Sequence, residues 1–211
     1  MGLQDVRRRK NLIHLQEQII GCDKCQRLRE VTPIPYPHIM FTKNVELLII
    51  GRNPGLEHSY ADILEAEFMN VYQQRYPKSR IGKYIEKHLG KSVWEKTAIT
   101  NVCKCSSPKN STLKSEEIER CVPYLISQIK IFSPKAILLF GKEAATLFFE
   151  NKASEILRSD SVIRYTASEK SDTIHIAACF HPSYISRLHP YAEEVDFNIL
   201  KMAKIRKVLD T

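Results

Sequence analysis

The sequence predicts an α/β fold, a parallel sheet of four short strands layered between helices, and three observations carry that prediction. Two wholly apolar runs, 47–50 and 136–140, each stop on a glycine, Gly51 and Gly141. Runs without polar alternation read as strands buried on both faces, as a parallel sheet requires. Two further segments, Thr97–Val102 and Ile174–Cys179, have strand length and β-branched or apolar content. Stretches of helical period separate all four.

Taken in order, residues 4–20 place Val6, Leu12, Ile13, Leu15, Ile19 and Ile20 on one face of a helix, with 7–10 (Arg-Arg-Arg-Lys) as its solvated side. Cys22 and Cys25 form a C-x-x-C, and Pro33, Pro35 and Pro37 then exclude helix or central strand, so the chain should wrap over the surface as far as residue 45. The first strand closes on Gly51-Arg52-Asn53-Pro54-Gly55, read as a tight turn that needs glycine's conformational freedom. Helical patterns follow over 61–76 and 81–89, parted by Pro77, the second closed by Gly90. Residues 108–111 make a loop, and 115–132 are amphipathic through Ile118, Cys121, Val122, Leu125, Ile126 and Ile129. A helix runs from Lys142 to about Glu150, residues 153–173 carry no clear pattern, and a closing helix covers 191–208. The reading treats 1–211 as a single domain whose N-terminal helix and cysteine-rich segment occupy about 1–44.

Lys and Arg exceed Asp and Glu by 32 to 24, a net charge of +8 that favours a polyanionic partner, nucleic acid first. No stretch reaches the roughly 20 apolar residues of a membrane span, and the charged amino terminus lacks the apolar core of a signal peptide. An intracellular, cytoplasmic protein without a membrane partner is expected. In that compartment six cysteines point to metal or catalytic roles before disulfides.

Two constellations could carry chemistry. If the sheet is parallel, its strands all end on one edge and deliver Asn53, Asn101 and His181 there, where ligands bind in such sheets. Two amides and an imidazole can hold a planar ligand that bears amide groups. Cys22, Cys25, Cys105 and Cys121 form the second set. The later pair lacks the C-x-x-C of a zinc ribbon, whereas an iron–sulfur cluster tolerates uneven spacing; zinc and uncommitted thiols remain alternatives. Cys103 and Cys179 fall on predicted strands and read as inert packing residues.

Gly51-Arg-Asn-Pro-Gly55, Ile99-Thr-Asn-Val-Cys-Lys-Cys105, Cys121-Val-Pro-Tyr-Leu125, Pro134-Lys-Ala-Ile-Leu-Leu-Phe-Gly141 and His181-Pro-Ser-Tyr184 together resemble the uracil-DNA glycosylase superfamily, in its order. The resemblance covers roughly residues 20–190 and is nearest to family 4, the iron–sulfur branch. It implies a three-layer α/β/α sandwich with a short, mostly parallel four-stranded sheet, and a [4Fe–4S] cluster on Cys22, Cys25, Cys105 and Cys121. It further implies a monofunctional glycosylase that flips uracil out of single- or double-stranded DNA and acts as a monomer. Asn53 and His181 would be catalytic. Gly51, Arg52, Pro54, Gly55, Asn101, Ser183 and Arg187 would bind substrate, with Tyr76 in place of the family's stacking phenylalanine, Ile185 or Leu188 as a wedge, and Lys104 among the phosphate contacts. The first motif departs from the Gly-Glu-Ala-Pro-Gly of family 4. Its Gly-x-Asn-Pro-Gly resembles instead the mismatch-specific and single-strand-selective branches, whose asparagine positions the attacking water. Three alternatives therefore stand: a glycosylase for hypoxanthine or xanthine, a nucleic-acid-binding member without activity, and a zinc-stabilised nucleoside hydrolase.

Overall fold

In a computed structural model, residues 3–37, 39–40, 44–55, 79–166 and 173–211 are described. The predicted strands form β2 (Leu47–Gly51), β3 (Thr97–Asn101), β4 (Ala136–Phe140) and β6 (Ile174–Cys179), all mutually parallel where they pair. Two short antiparallel strands, β1 (Ile39–Met40) and β5 (Ile163–Tyr165), extend the edges, giving the order β1-β3-β2-β4-β6-β5. The expected four-stranded sheet is thus the parallel centre of a six-stranded one. β5 lies within the patternless stretch because all three of its residues are exposed, so nothing requires an apolar repeat there.

Helices cover both faces. Leu48, Ile50, Ile137, Leu139 and Ala178 pack against α1 (Leu3–Ile20), α5 (Ser115–Phe132), α6 (Lys142–Phe149) and α7 (Ala153–Leu157) through Leu12, Leu125, Phe132, Ala145 and Leu157. The alternate residues Leu47, Ile49, Leu138, Phe140 and Ala177 pack against α3 (Arg80–Leu89), α4 (Lys91–Trp94) and α9 (Glu193–Leu209) through Ile85, Leu89, Trp94, Met202 and Ile205. Period-two alternation along each strand thus feeds two separate cores. Ser79 starts α3 by accepting the N–H of Gly82, and Gly90, at φ 91°, ends it. The helical pattern over 61–76 lies outside the described residues.

The proline-rich segment does not simply cross the surface. Pro35 and Pro37 are buried, and the Pro37 carbonyl accepts from Gln128 Nε2 of α5 at 2.5 Å and from Thr100 Oγ1 at 3.3 Å. Nor is the basic run of α1 wholly solvated: Arg8 donates to the Phe132 carbonyl at the C-terminal end of α5. Because β2 lies between β3 and β4, the winding of the chain reverses there, and the crevice opens at the carboxyl ends of those strands.

Candidate active site

A cavity of about 430 Å³ sits in that crevice, between the loop after β2, the end of β3, the β4–α6 turn and the segment after β6. Gly51 pairs with Asn101 across the sheet edge. A Cβ at position 51 would stand 2.6 Å from Asn101 Oδ1, so glycine is required to leave room for that amide. This corrects the reading of Gly51 as a conformational necessity, because its φ is not positive. Gly141 is the position that does need glycine: at φ 94° it turns β4 into α6 and puts Glu143 in the first helical turn, on the cavity wall.

Arg52, Asn53, Pro54 and Gly55 all line the cavity with Asn101 and Ser183. Arg52 donates Nε–H to Asn53 Oδ1 at 2.8 Å and Nη1–H to Glu143 Oε1 at 3.4 Å, and its Nη2 reaches both the carbonyl and the side-chain oxygen of Asn110. Asn53 Nδ2 in turn donates to Ser107 Oγ at 3.3 Å.

His181 is the N-cap of α8 (Pro182–Ile185), and its Nδ1 accepts the backbone N–H of Ser183 at 3.1 Å. A backbone N–H can only donate, and with Ser183 Oγ donating to the same nitrogen across 2.7 Å the neutral ring carries its proton on Nε2. Burial lowers the ring's proton affinity, with the cations Arg52 and Arg80 adding to the effect, and the neutral form is favoured. Phe140 presents an edge contact to the ring, with centroids 6.0 Å apart. Behind it, the buried Asn198 of α9 clamps the backbone of Phe180, accepting from its N–H and donating to its carbonyl, both at 2.9 Å. Arg187 is exposed just past α8, with Ile185 and Leu188 half-buried on either side. Tyr76 lies outside the described residues; Tyr36 and Phe140 are rings that do reach the cavity.

On the other side of β3 the cysteines meet. Cys22 follows α1, Cys25 caps α2 (Gln26–Arg29), Cys105 follows β3 and Cys121 lies in α5, and all four line one narrow cavity. The bidentate pair of Arg27 with Glu117, at 2.8 and 2.6 Å, and the bond from Arg120 to the Lys24 carbonyl, at 2.7 Å, hold the C-x-x-C against α5. Burial raises the thiol pKa of Cys25 and pushes that of Cys105 up to about 12. That of Cys121 is lowered by hydrogen bonding from Cys103 and from the Lys104 N–H at 3.4 Å. No three ligand-type side chains among the described residues converge as on a single ion. Four thiols gathered around one cavity are the donor type that an iron–sulfur cluster takes.

Two buried residues stand beside these cysteines, and the second departs from expectation. Cys103 is buried in packing, as read, and it also lines the same cysteine cavity, its thiol donating to the Glu117 carbonyl at 3.8 Å. Lys104 cannot reach a phosphate: it is 1% exposed, and its Nζ donates to Thr100 Oγ1 at 2.8 Å, the Asn101 carbonyl at 2.5 Å and Gln128 Oε1 at 2.8 Å. Burial pulls its ammonium down to about 7.

Asn53, Asn101 and His181 thus share one cavity, as the parallel sheet requires, and the cysteines share another. Sequence reading did not find Glu143, Asn110 or Ser107, which contact Arg52 or Asn53 from distant parts of the chain, or Asn198, which holds the backbone of Phe180 beside His181. An α/β/α sheet with a polar cavity at its switch point and a cysteine nest beside it defines a narrow class. Residues 39–200 match the model of the Uracil DNA glycosylase superfamily, and the chain belongs to that superfamily. A Type-4 uracil-DNA glycosylase of Pyrobaculum aerophilum is 34% identical over 183 residues, 84% of this chain and 85% of its own length. Proteins of the same designation from Sulfurisphaera tokodaii and Archaeoglobus fulgidus are 28% and 23% identical, covering 90% and 93% of this chain and 84% and 94% of their own.

Proposed function

We propose that this chain hydrolyses the N-glycosidic bond of uracil in DNA as a monofunctional, monomeric repair glycosylase. The observation that carries the reading is the placement of Asn53, Asn101 and a neutral, Nε2-protonated His181 around one cavity. The base must leave the stack to enter it, at a cost of a few kcal/mol. Arg187 holds a backbone phosphate, Ser183 spends both its donors on His181 Nδ1 instead, and Ile185 or Leu188 fills the gap left in the duplex. Asn101 reads the base edge with one donor and one acceptor. As the glycosidic bond breaks, charge gathers on a uracil carbonyl oxygen, and His181 Nε2–H is the donor preplaced for it. Asn53 cannot act as a base at neutral pH; it orients water toward the sugar carbon once the cation has formed.

Cys22, Cys25, Cys105 and Cys121 hold a [4Fe–4S] cluster, which when bound cross-links the N-terminal segment to the loop and helix that follow β3. Cys121→Ser should reduce bound iron and acid-labile sulfide and bleach the visible absorbance, and stoichiometric zinc in anaerobically purified protein would reject the cluster.

The test of activity is base release from oligonucleotides carrying uracil, hypoxanthine or xanthine, in single and double strands. Uracil should be released, and Asn53→Ala should slow its release by about 10- to 100-fold with DNA affinity retained. Release of a purine in its place would overturn the base assignment, and no release of any base would leave a binding protein.

A further inference from the structure

We propose that Arg52 is a positioning residue: it fixes the amide of Asn53 so that the oxygen, not the nitrogen, is offered to the attacking water. The inference rests on the glycosylase reading above and adds to it a residue with no carboxylate or water of its own to contribute.

A half-turn of an asparagine amide exchanges its oxygen and nitrogen with almost no change of shape, so its neighbours must specify which end is which. Both neighbours of Asn53 do so. On one side, Arg52 Nε–H donates to Oδ1 at 2.8 Å, and a guanidinium has no lone pair to accept from an NH₂. On the other, Ser107 has committed its hydroxyl hydrogen to the Ser111 carbonyl at 2.7 Å, so toward Asn53 its oxygen can only accept. A flipped amide would face NH₂ to a cation and oxygen to lone pairs. In the orientation observed, Oδ1 keeps a second lone pair, the only acceptor the side chain can give to water.

Arg52 is itself held for this task. Glu143 takes Nη1 and Asn110 takes Nη2, so each of its three nitrogens has a protein acceptor and its side chain is 23% exposed. A phosphate-binding arginine would keep its fork turned outward. This one points back at the loop.

The test is a double-mutant cycle, read by single-turnover release from a uracil-containing single-stranded oligonucleotide at saturating enzyme, with DNA affinity measured across salt. Arg52→Ala should slow release by about tenfold without changing affinity or its salt slope, and in an Asn53→Ala background it should cost nothing further. Arg52→Lys should stay at the level of Arg52→Ala, because an ammonium cannot engage Asn53, Glu143 and Asn110 together. Ser107→Ala, which leaves Arg52 in place, should likewise lose rate only when Asn53 is present. Additive losses, a weakened salt slope, rescue by lysine, or a fully active Arg52→Ala would overturn the proposal and leave the glycosylase reading standing. A fully active Asn53→Ala would instead remove Asn53 from the site and both readings of it.

Discussion

His181→Ala should slow single-turnover uracil release by roughly 10²- to 10³-fold while leaving DNA affinity nearly unchanged, because in the proposed reaction it deletes a donor to charge that exists only as the bond breaks. The tautomer argument makes the expectation specific. With Nδ1 accepting from the Ser183 N–H, the neutral ring of this cavity-lining residue carries its proton on Nε2, and no second proton is needed for it to donate. Protonation would replace the acceptor at Nδ1 by a donor and break the contact with Ser183 N–H. Burial and the cations Arg52 and Arg80 hold the ring's pKa below its ordinary 6.5, so release should stay flat as the pH falls through 6.5 and drop only beneath it. Stability carries the same sign: between the folded pKa and 6.5 the unfolded ring binds a proton that the folded ring does not. His181 therefore stabilises the fold above that window, and its contribution is lost as the pH falls through it. A rate profile with its acid limb at 6.5 would contradict the arrangement. So would an Ala variant that kept the parent rate.

The stretches legible in the sequence are those whose burial leaves a local pattern. Leu47–Ile50 and Ala136–Phe140 are apolar without alternation because both their faces are covered, and their register puts Gly51 and Asn101 side by side at the switch point. β5 was illegible for the opposite reason, its residues facing solvent. The cavity's amides and imidazole could be read as a set, because a parallel sheet gathers strand ends wherever they fall in the chain. What could not be read is how those groups are held. Arg52 meets Glu143 across 91 positions and Asn110 across 58, and Asn198 reaches Phe180 from the closing helix. No spacing rule links such pairs, because tertiary packing alone brings them together. Cys103 was legible as packing, but that it packs in the same nest as Cys121 follows only from the path of the chain after β3.

Lys104→Met should destabilise the protein by about 1–3 kcal/mol, the cost of leaving buried acceptors without their donor. A lysine in a basic chain is ordinarily read as a surface charge, and the sequence placed this one near phosphate. Methionine keeps most of the stem's volume, so the loss would come from the polar end. Thr100 Oγ1, the Asn101 carbonyl and Gln128 Oε1 would each give up a donor with no water at hand to replace it. Those three oxygens belong to the last residues of β3 and to α5, and the lysine itself stands between Cys103 and Cys105. The side chain therefore ties the carboxyl end of β3 to the helix that carries Cys121. The urea midpoint of the protein as purified anaerobically measures the effect, with Lys83→Met on the exposed face of α3 as the comparison expected to shift by no more than about 0.5 kcal/mol. The two readings of Lys104 separate cleanly on this pair. A phosphate contact would leave the midpoint alone and shallow the salt dependence of DNA binding by about one ion, whereas a buried strut moves the midpoint and leaves the slope where it was.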